Sequence, residues 1–178
     1  LGESGAGKSS LAACLLGRGA RLVTDDVLRL CFRPDRIDAQ PGPYRLKLLD
    51  EPARRYMSDA YADGYFNSLS GKMMVRPRDG LGGSRGPLPL RALYFLGELP
   101  GRAPPAAVEV ERLAGIEVIR VLLSSAMDDR NQSTPRLARQ LRFAGELSAR
   151  VPVYALRYPR RFEVMDEVAA AVQRSMAS

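Results

Sequence analysis

Residues Gly2 to Ser9 read G-E-S-G-A-G-K-S and match G-x-x-x-x-G-K-[ST] at every fixed position. The chemistry this spacing serves is the binding of a polyphosphate. Gly2, Gly5 and Gly7 allow the backbone to curl so that successive amide N–H groups point at phosphate oxygens. A helix that follows adds its positive end. Lys8 has the length to reach the β- and γ-phosphates, and the Ser9 hydroxyl is a hard oxygen donor suited to Mg²⁺. The binding set read from the loop is therefore Gly2, Glu3, Ser4, Gly5, Ala6, Gly7, Lys8, Ser9 and Ser10. A glycine-rich turn before a helix is the alternative reading of the same letters.

A second pair of residues carries chemistry. Asp25 and Asp26 close the stretch A-R-L-V-T-D-D, which reads as a strand after the first helix. Adjacent strand residues face opposite sides. Both carboxylates enter one site only if the strand ends there and the backbone turns. One could then hold Mg²⁺ while the other accepts a proton from an attacking hydroxyl. A pair of turn or helix caps is the alternative. Lys72 and Arg76, in G-K-M-M-V-R-P, are weaker candidates for contacts to phosphate or substrate; a lysine on a strand more often faces solvent at an edge.

The elements that must position these groups follow along the chain. S-S-L-A-A-C-L-L-G-R-G has the apolar face of a helix, through Leu11, Leu15 and Leu16, and glycines able to end it. F-R-P-D-R-I-D-A-Q-P-G-P reads as a surface loop or hairpin, E-P-A-R-R-Y-M-S-D-A-Y-A-D-G-Y as helical, and K-M-M-V-R-P as a short strand. S-L-S-G-K echoes a transporter-ATPase signature but reads as a turn. Residues 79–86 are glycine-rich and read as a mobile loop, one that could close over an acceptor. L-P-L-R-A-L-Y-F-L-G-E-L reads as one apolar strand, and V-E-V-E-R-L and V-P-V-Y-A-L-R-Y-P as two more. A-G-I-E-V-I-R-V-L-L-S-S-A-M, S-T-P-R-L-A-R-Q-L and R-F-E-V-M-D-E-V-A-A-A-V-Q-R-S-M read as helices, the second capped by Ser133 or Thr134 with Pro135 in its first turn. Strands and helices alternate, so the fold class is α/β, a mixed sheet flanked by helices.

Composition sets the outer bounds. The chain has 178 residues, which suits one domain, and 46% hydrophobic residues, enough for a core. No apolar run approaches the length of a membrane span. Cys14 and Cys31 form neither a disulfide framework nor a zinc spacing, so a reducing cytoplasm is expected. There is no histidine, which excludes histidine triads, histidine metal ligands and a phosphohistidine from this chain. The net charge is +7, and the 27 basic residues are all arginine except Lys8, Lys47 and Lys72. Residues 130–161 hold eight arginines against Glu146 alone. No groove-reading or base-stacking pattern accompanies them, which argues against nucleic acid. An arginine cluster serving nucleotide phosphates or an acidic peptide is the better reading. No N-K-x-D guanine motif is present.

G-E-S-G-A-G-K-S-S-L-A-A-C-L-L-G-R-G-A-R-L-V-T-D-D resembles the core of the HPr kinase/phosphorylase family, in which a phosphate loop, one helix and a strand lead into Asp-Asp. It is most similar to that family's short relatives, the HPr-kinase-like serine kinases, some of which phosphorylate lasso peptide precursors. P-G-P-Y-R-L-K-L-L, G-K-M-M-V-R-P, L-R-A-L-Y-F-L-G-E and V-P-V-Y-A-L-R-Y-P follow their segment order. The resemblance implies a phosphoenolpyruvate carboxykinase-like nucleotide fold over residues 1–178, a single kinase domain whose leading strand lies upstream. It implies ATP and Mg²⁺ held by Gly5, Gly7, Lys8 and Ser9. Asp25 resembles the metal-associated acid and Asp26 the general base, with the assignment between these neighbours left open. The acceptor would be a serine of a small protein or peptide, like HPr or a lasso precursor. Pro100-Gly101-Arg102 is followed by Ala103 where the family's loop has Asn, so the expectation is a kinase reaction rather than a phosphorylase. A small-molecule kinase and a non-catalytic ATP-binding regulator are the alternatives. No membrane association is expected, and homo-oligomerisation is left open.

Overall fold

The computed structural model describes residues 1–77, 83, 86–126 and 133–177. The chain divides into two compact units, Gly7–Pro89 and a second made of Leu90–Ser178 with Leu1–Ala6. The class is α/β, with small sheets flanked by helices. The described strands fall into three sheets of three strands each rather than one larger sheet. No described helix is long and apolar enough to cross a membrane.

Gly7–Pro89 starts with helix α1 (Lys8–Gly17). Its end is a Schellman closure: the Ala20 amide donates to the Leu15 carbonyl at 3.1 Å and the Gly19 amide to Leu16 at 3.0 Å. Leu11, Ala13, Cys14 and Leu16 are buried. Strands β1 (Arg29–Phe32) and β2 (Ile37–Gln40) form the hairpin that the turn-rich stretch allowed. Strand β3 (Leu46–Leu48) leads into α2 (Asp50–Tyr56) and α3 (Ser58–Tyr61). Strands β4 (Tyr65–Asn67) and β5 (Lys72–Val75) form a second hairpin. Its turn is the S-L-S-G stretch, closed by the Asn67 side-chain oxygen accepting from the Leu69 and Ser70 amides at 3.1 and 3.2 Å. Strand β6 (Leu88–Pro89) adds to β2. Ala13 and Leu16 of α1, Leu46 and Leu48 of β3, Ala53 of α2 and Met73 and Val75 of β5 make one apolar cluster.

Two strand expectations are corrected here. Residues 21–26 form no ladder. Leu22 is buried in the cluster and the Val23 carbonyl accepts from the Gly42 amide at 2.9 Å. The Thr24 hydroxyl then donates to the Val27 carbonyl at 3.1 Å, and the chain bends at Asp25-Asp26. A short-range side-chain bond outcompetes the ladder there. The stretch read as one strand over residues 88–99 is two short strands, Leu88–Pro89 and Leu93–Phe95, because proline cannot donate to a ladder and confines β6 to an edge. The expected mobile loop at 79–86 lies almost wholly outside the described residues.

The second unit has strand β7 (Leu93–Phe95), β8 (Glu109–Arg112), α4 (Gly115–Ser124), α5 (Thr134–Arg150), β9 (Val153–Arg157) and α6 (Met165–Ala177). Ser133 is the N-cap of α5, with Pro135 in the first turn. β9 lies centrally, parallel to β7 and antiparallel to β8. Val153 and Ala155 of β9, Leu93 and Phe95 of β7, Val118 and Leu122 of α4, Leu147 of α5 and Val168 of α6 are all buried. On the other face Tyr94 stacks on Tyr154 at 5.4 Å, and the two Oγ/Oη atoms of Ser175 and Tyr94 lie 2.7 Å apart. Leu1 donates to the Tyr94 carbonyl at 2.6 Å and accepts from the Leu96 amide at 3.0 Å. These two bonds set Leu1 against the edge of β7.

Candidate functional site

The boundary between the two units falls between Ala6 and Gly7, inside the phosphate-loop motif. Each half is built by its own unit. In Gly7–Pro89, Gly7 caps α1 in the left-handed conformation, φ 86°. A side chain there would be strained, so the glycine is what lets the loop turn directly into the helix. The Gly7 carbonyl accepts the Leu11 amide at 2.9 Å, which starts the helix and leaves the amides of its first turn without intrahelical partners. Lys8, Ser9 and Ser10 occupy that turn and are half-buried.

Ser9 Oγ donates to Asp25 Oδ1 at 2.9 Å. The other carboxylate oxygen, Oδ2, accepts the backbone amide of Lys47 at 2.8 Å. The Nζ of the same Lys47 pairs with Asp26 Oδ2. The bend at Asp25-Asp26 thus meets the condition the sequence set. Both carboxylates line one cavity, of about 230 Å³, together with Thr24, Arg29, Arg45 and Lys47. The cavity wall depends on Gly42, where any Cβ would collide with Thr24 Oγ1.

Electrostatics separate the two acids. Burial pushes the Asp25 carboxyl above its ordinary range, and the nearby Asp26 charge pushes the same way. The bonds from the Lys47 amide and the Ser9 hydroxyl oppose this without cancelling it, and the Lys47 charge adds to them. Asp26 is exposed. A half-buried carboxylate against a loop hydroxyl has the chemistry of a cation ligand; an exposed one held by an ammonium is free to meet an incoming hydroxyl. The donor set fits Mg²⁺. Ser9 and Asp25 supply two hard oxygens, and among the described residues no cluster of three or more acids or cysteines forms a protein cage. Mg²⁺ characteristically binds through one or two protein oxygens plus water and phosphate.

Lys47 was not picked out from the sequence. The signal was there: L-K-L places it between two leucines that both face the core, so period two sends its side chain to the opposite face. It is also one of only three lysines in an arginine-biased chain.

Lys72 and Arg76 are not brought to this cavity. Lys72 pairs with Asn67 at the start of β5. Arg76 lines a neighbouring cavity with Asp63 and Tyr65, connected only in that Arg45 lines both.

The other half of the loop belongs to the second unit. The Ala6 amide donates to the Glu3 carbonyl at 3.2 Å, while Glu3 and Ser4 are exposed. One residue of the arginine cluster reaches it. Arg160 donates from one terminal nitrogen to the Ala6 carbonyl and from the other to the Leu96 carbonyl, each at 2.5 Å. Its guanidinium lies over the Tyr158 ring, 5.1 Å from the centroid. The cluster therefore serves the loop's backbone here. Other members are tied to acids, Arg157 to Glu109 at 2.7 Å and Arg150 to Glu146 at 3.5 Å.

Compared with protein-family models, curated proteins and solved structures, the chain gives no match.

Proposed function

We propose that the protein is an ATP-dependent kinase that transfers a γ-phosphoryl group to a serine hydroxyl of a small protein or peptide. The observation that carries this reading is the 2.9 Å bond from Ser9 Oγ to Asp25 Oδ1. It joins the hydroxyl of the phosphate-loop motif to a carboxylate that no local structure requires it to meet.

On this reading the residues take the following roles. The loop amides and Lys8 bind the triphosphate and offset its charge. Ser9 and Asp25 would hold Mg²⁺, which would supply charge neutralisation at the phosphate oxygens. Lys47 orients both acids, one through its amide and the other through its ammonium. Asp26 takes the proton of the acceptor hydroxyl as its oxygen bonds to the γ-phosphorus. The bond from the γ-phosphorus to the bridging oxygen breaks, and ADP leaves with that electron pair. Most of the rate comes from positioning and charge rather than from strong base catalysis. A P-loop phosphoenolpyruvate carboxykinase-like fold and a cytoplasmic setting belong to the same reading.

One observation favours a second acceptor class. Arg29, Arg45 and Lys47 line the cavity around the two acids, which suits a small anionic molecule bearing the hydroxyl. A single experiment separates the classes. The protein and its Asp26→Asn variant are given γ-labelled ATP and Mg²⁺ in desalted host lysate. A labelled polypeptide that disappears with the variant supports the protein kinase. Label in small molecules alone supports the second class. ATP binding without transfer by either form leaves a regulator, and the kinase reading falls.

A further inference from the structure

In the sheet of β3, β5 and β4, Lys47 stands opposite Met74, and Met74 opposite Tyr65. Their neighbours Leu46, Leu48, Met73 and Val75 bury in the apolar cluster on one face. Period two therefore puts Lys47, Met74 and Tyr65 on the other face. Two cavities meet that face. Lys47 lines the one that holds Asp25 and Asp26. Met74 and Tyr65 line the next, of about 540 Å³, with Asp63 and Arg76. Arg45 lines both. All of these residues belong to Gly7–Pro89, as do Lys8 and Ser9.

We infer that the second cavity binds one acidic side chain of the acceptor polypeptide, a few residues from its serine, between Arg45 and Arg76. The inference rests on the kinase reading proposed above and adds to it a sequence preference for the acceptor.

Three observations carry it. The first is continuity. The cavities share Arg45 and lie on one sheet face, so a chain whose hydroxyl meets Asp26 runs on past Arg45 into the second cavity. The second is charge. Arg45 and Arg76 flank the facing pair Leu46 and Val75, and both are exposed. Like charges at facing positions of neighbouring strands repel. Among the described residues neither guanidinium has a hydrogen bond or an ion pair. Other arginines of this unit do, Arg33 and Arg36 with Asp38 and Arg54 with Asp50. Asp63 lines the same cavity but pairs with neither arginine. A carboxylate between the two guanidinia would offset their repulsion and accept charge-assisted bonds from both. Two arginines against one fixed acid suit a single carboxylate rather than a polyacidic run. The third is reach. A small molecule at the two aspartates fills the cavity of about 230 Å³, whereas the larger space beyond Arg45, with the exposed Tyr65 ring beside it, suits an extended chain.

The test gives the full chain γ-labelled ATP, Mg²⁺ and a synthetic set of serine peptides. Each peptide has an alanine background and one Glu, Gln or Lys at a single position before or after the serine. The wild type is expected to prefer Glu over Gln at one or two positions by on the order of tenfold in kcat/KM, with Lys poorest. Arg76 is exposed and does not line the cavity of the two aspartates, so Arg76→Gln addresses the second cavity alone. It is expected to lower kcat/KM on the Glu peptide to the level of the Gln peptide, whose own labelling shows that transfer is intact. Equal use of the three peptides by the wild type overturns this inference and leaves the kinase reading standing. So does a Glu preference that survives Arg76→Gln, or an equal fall on the Glu and Gln peptides. If no synthetic peptide is labelled but a lysate polypeptide is, the acids near its phosphoserine are changed to Gln one at a time. A loss seen with the wild type and absent with Arg76→Gln supports the site; no acid there, or no such loss, overturns it. Label in small molecules alone, or no transfer at all, removes the polypeptide acceptor and this inference with it.

Discussion

The Ser9 hydroxyl reaches the Asp25 carboxylate at 2.9 Å across sixteen residues of chain. The bond ties the first turn of α1 to the bend that follows Leu22, and the Lys47 amide holds the carboxylate's second oxygen. If this pair holds Mg²⁺, Ser9→Ala and Asp25→Asn should each weaken MgATP on the order of tenfold to hundredfold. ATP measured with EDTA should change much less. The double variant should lose little beyond the worse single one, because the two groups serve one ion. Calorimetry with and without Mg²⁺ reads all four quantities, and equal losses in EDTA would refute the assignment.

Lys47 offers a cleaner separation of the two acids. Its amide serves Asp25 and survives any side-chain change, whereas its ammonium serves Asp26. Lys47→Met should therefore leave MgATP affinity near that of the wild type and lower kcat by on the order of tenfold to hundredfold through a misplaced base. Asp26→Asn should lower kcat further, by roughly 10²–10⁴. Steady-state kinetics on the identified acceptor provide the check. A fall in MgATP affinity in Lys47→Met with kcat intact would reverse the assigned roles.

Arg160 is a positioning residue for the loop. Two carbonyls, on Ala6 and Leu96, share one guanidinium fork. A lysine carries its three donors on one nitrogen and lacks the planar fork that sets two nitrogens on the two carbonyls. Arg160→Lys and Arg160→Met should both weaken tripolyphosphate by roughly tenfold, the loss of one charge-assisted bond. If Arg160→Lys binds as the wild type does, charge rather than loop geometry is what the residue supplies.

The hairpin of β1 and β2 carries a pH dependence that does not involve the site. The Asp38 side chain is 4% exposed and accepts from Arg36 Nε at 2.8 Å and Arg33 Nε at 3.4 Å. The Arg36 hydrogen bond, with further help from Arg33, holds its carboxyl below the usual value of 3.8. The native state thus favours the ionised form, and the unfolded state binds the proton first as pH falls. Stability from this group is complete above the unfolded value and is lost as pH drops through the lower folded one. Urea titrations between neutral pH and pH 2 should show the wild type losing its advantage over Asp38→Asn below about pH 4. A gap between the two proteins that does not change with pH would be inconsistent with the ion pairs.

Leu48 is 1% exposed within the apolar cluster of Gly7–Pro89, beside the strand position of Lys47. Leu48→Ala should cost about 2–5 kcal/mol by removing buried methyl groups and leaving a cavity. Thermal or urea unfolding reads this directly. A loss below about 1 kcal/mol would mean the site collapses around the gap.

By itself the sequence determined the local parts. The loop motif is a matter of fixed spacing, and α1 ends where Gly17 and Gly19 allowed. Asn67 and Gly71 made S-L-S-G a turn, and Pro135 sits in the first turn of α5, whose first amides bond the Ser133 backbone carbonyl. These outcomes depend on neighbours within a few residues, which the letters display. The tertiary structure alone decided the rest. Residues 21–26 have a strand's composition, yet a bond from Thr24 to Val27 and a single amide from Gly42 leave them without a ladder. Two adjacent aspartates share a cavity only because the chain bends there. Lys47 enters the site because β3 pairs with β5 in a register that buries Leu46 and Leu48 on the opposite face. Arg160 reaches Ala6 from 154 residues away. Such pairings follow from which apolar faces bury against one another, and that choice is made by the whole chain at once.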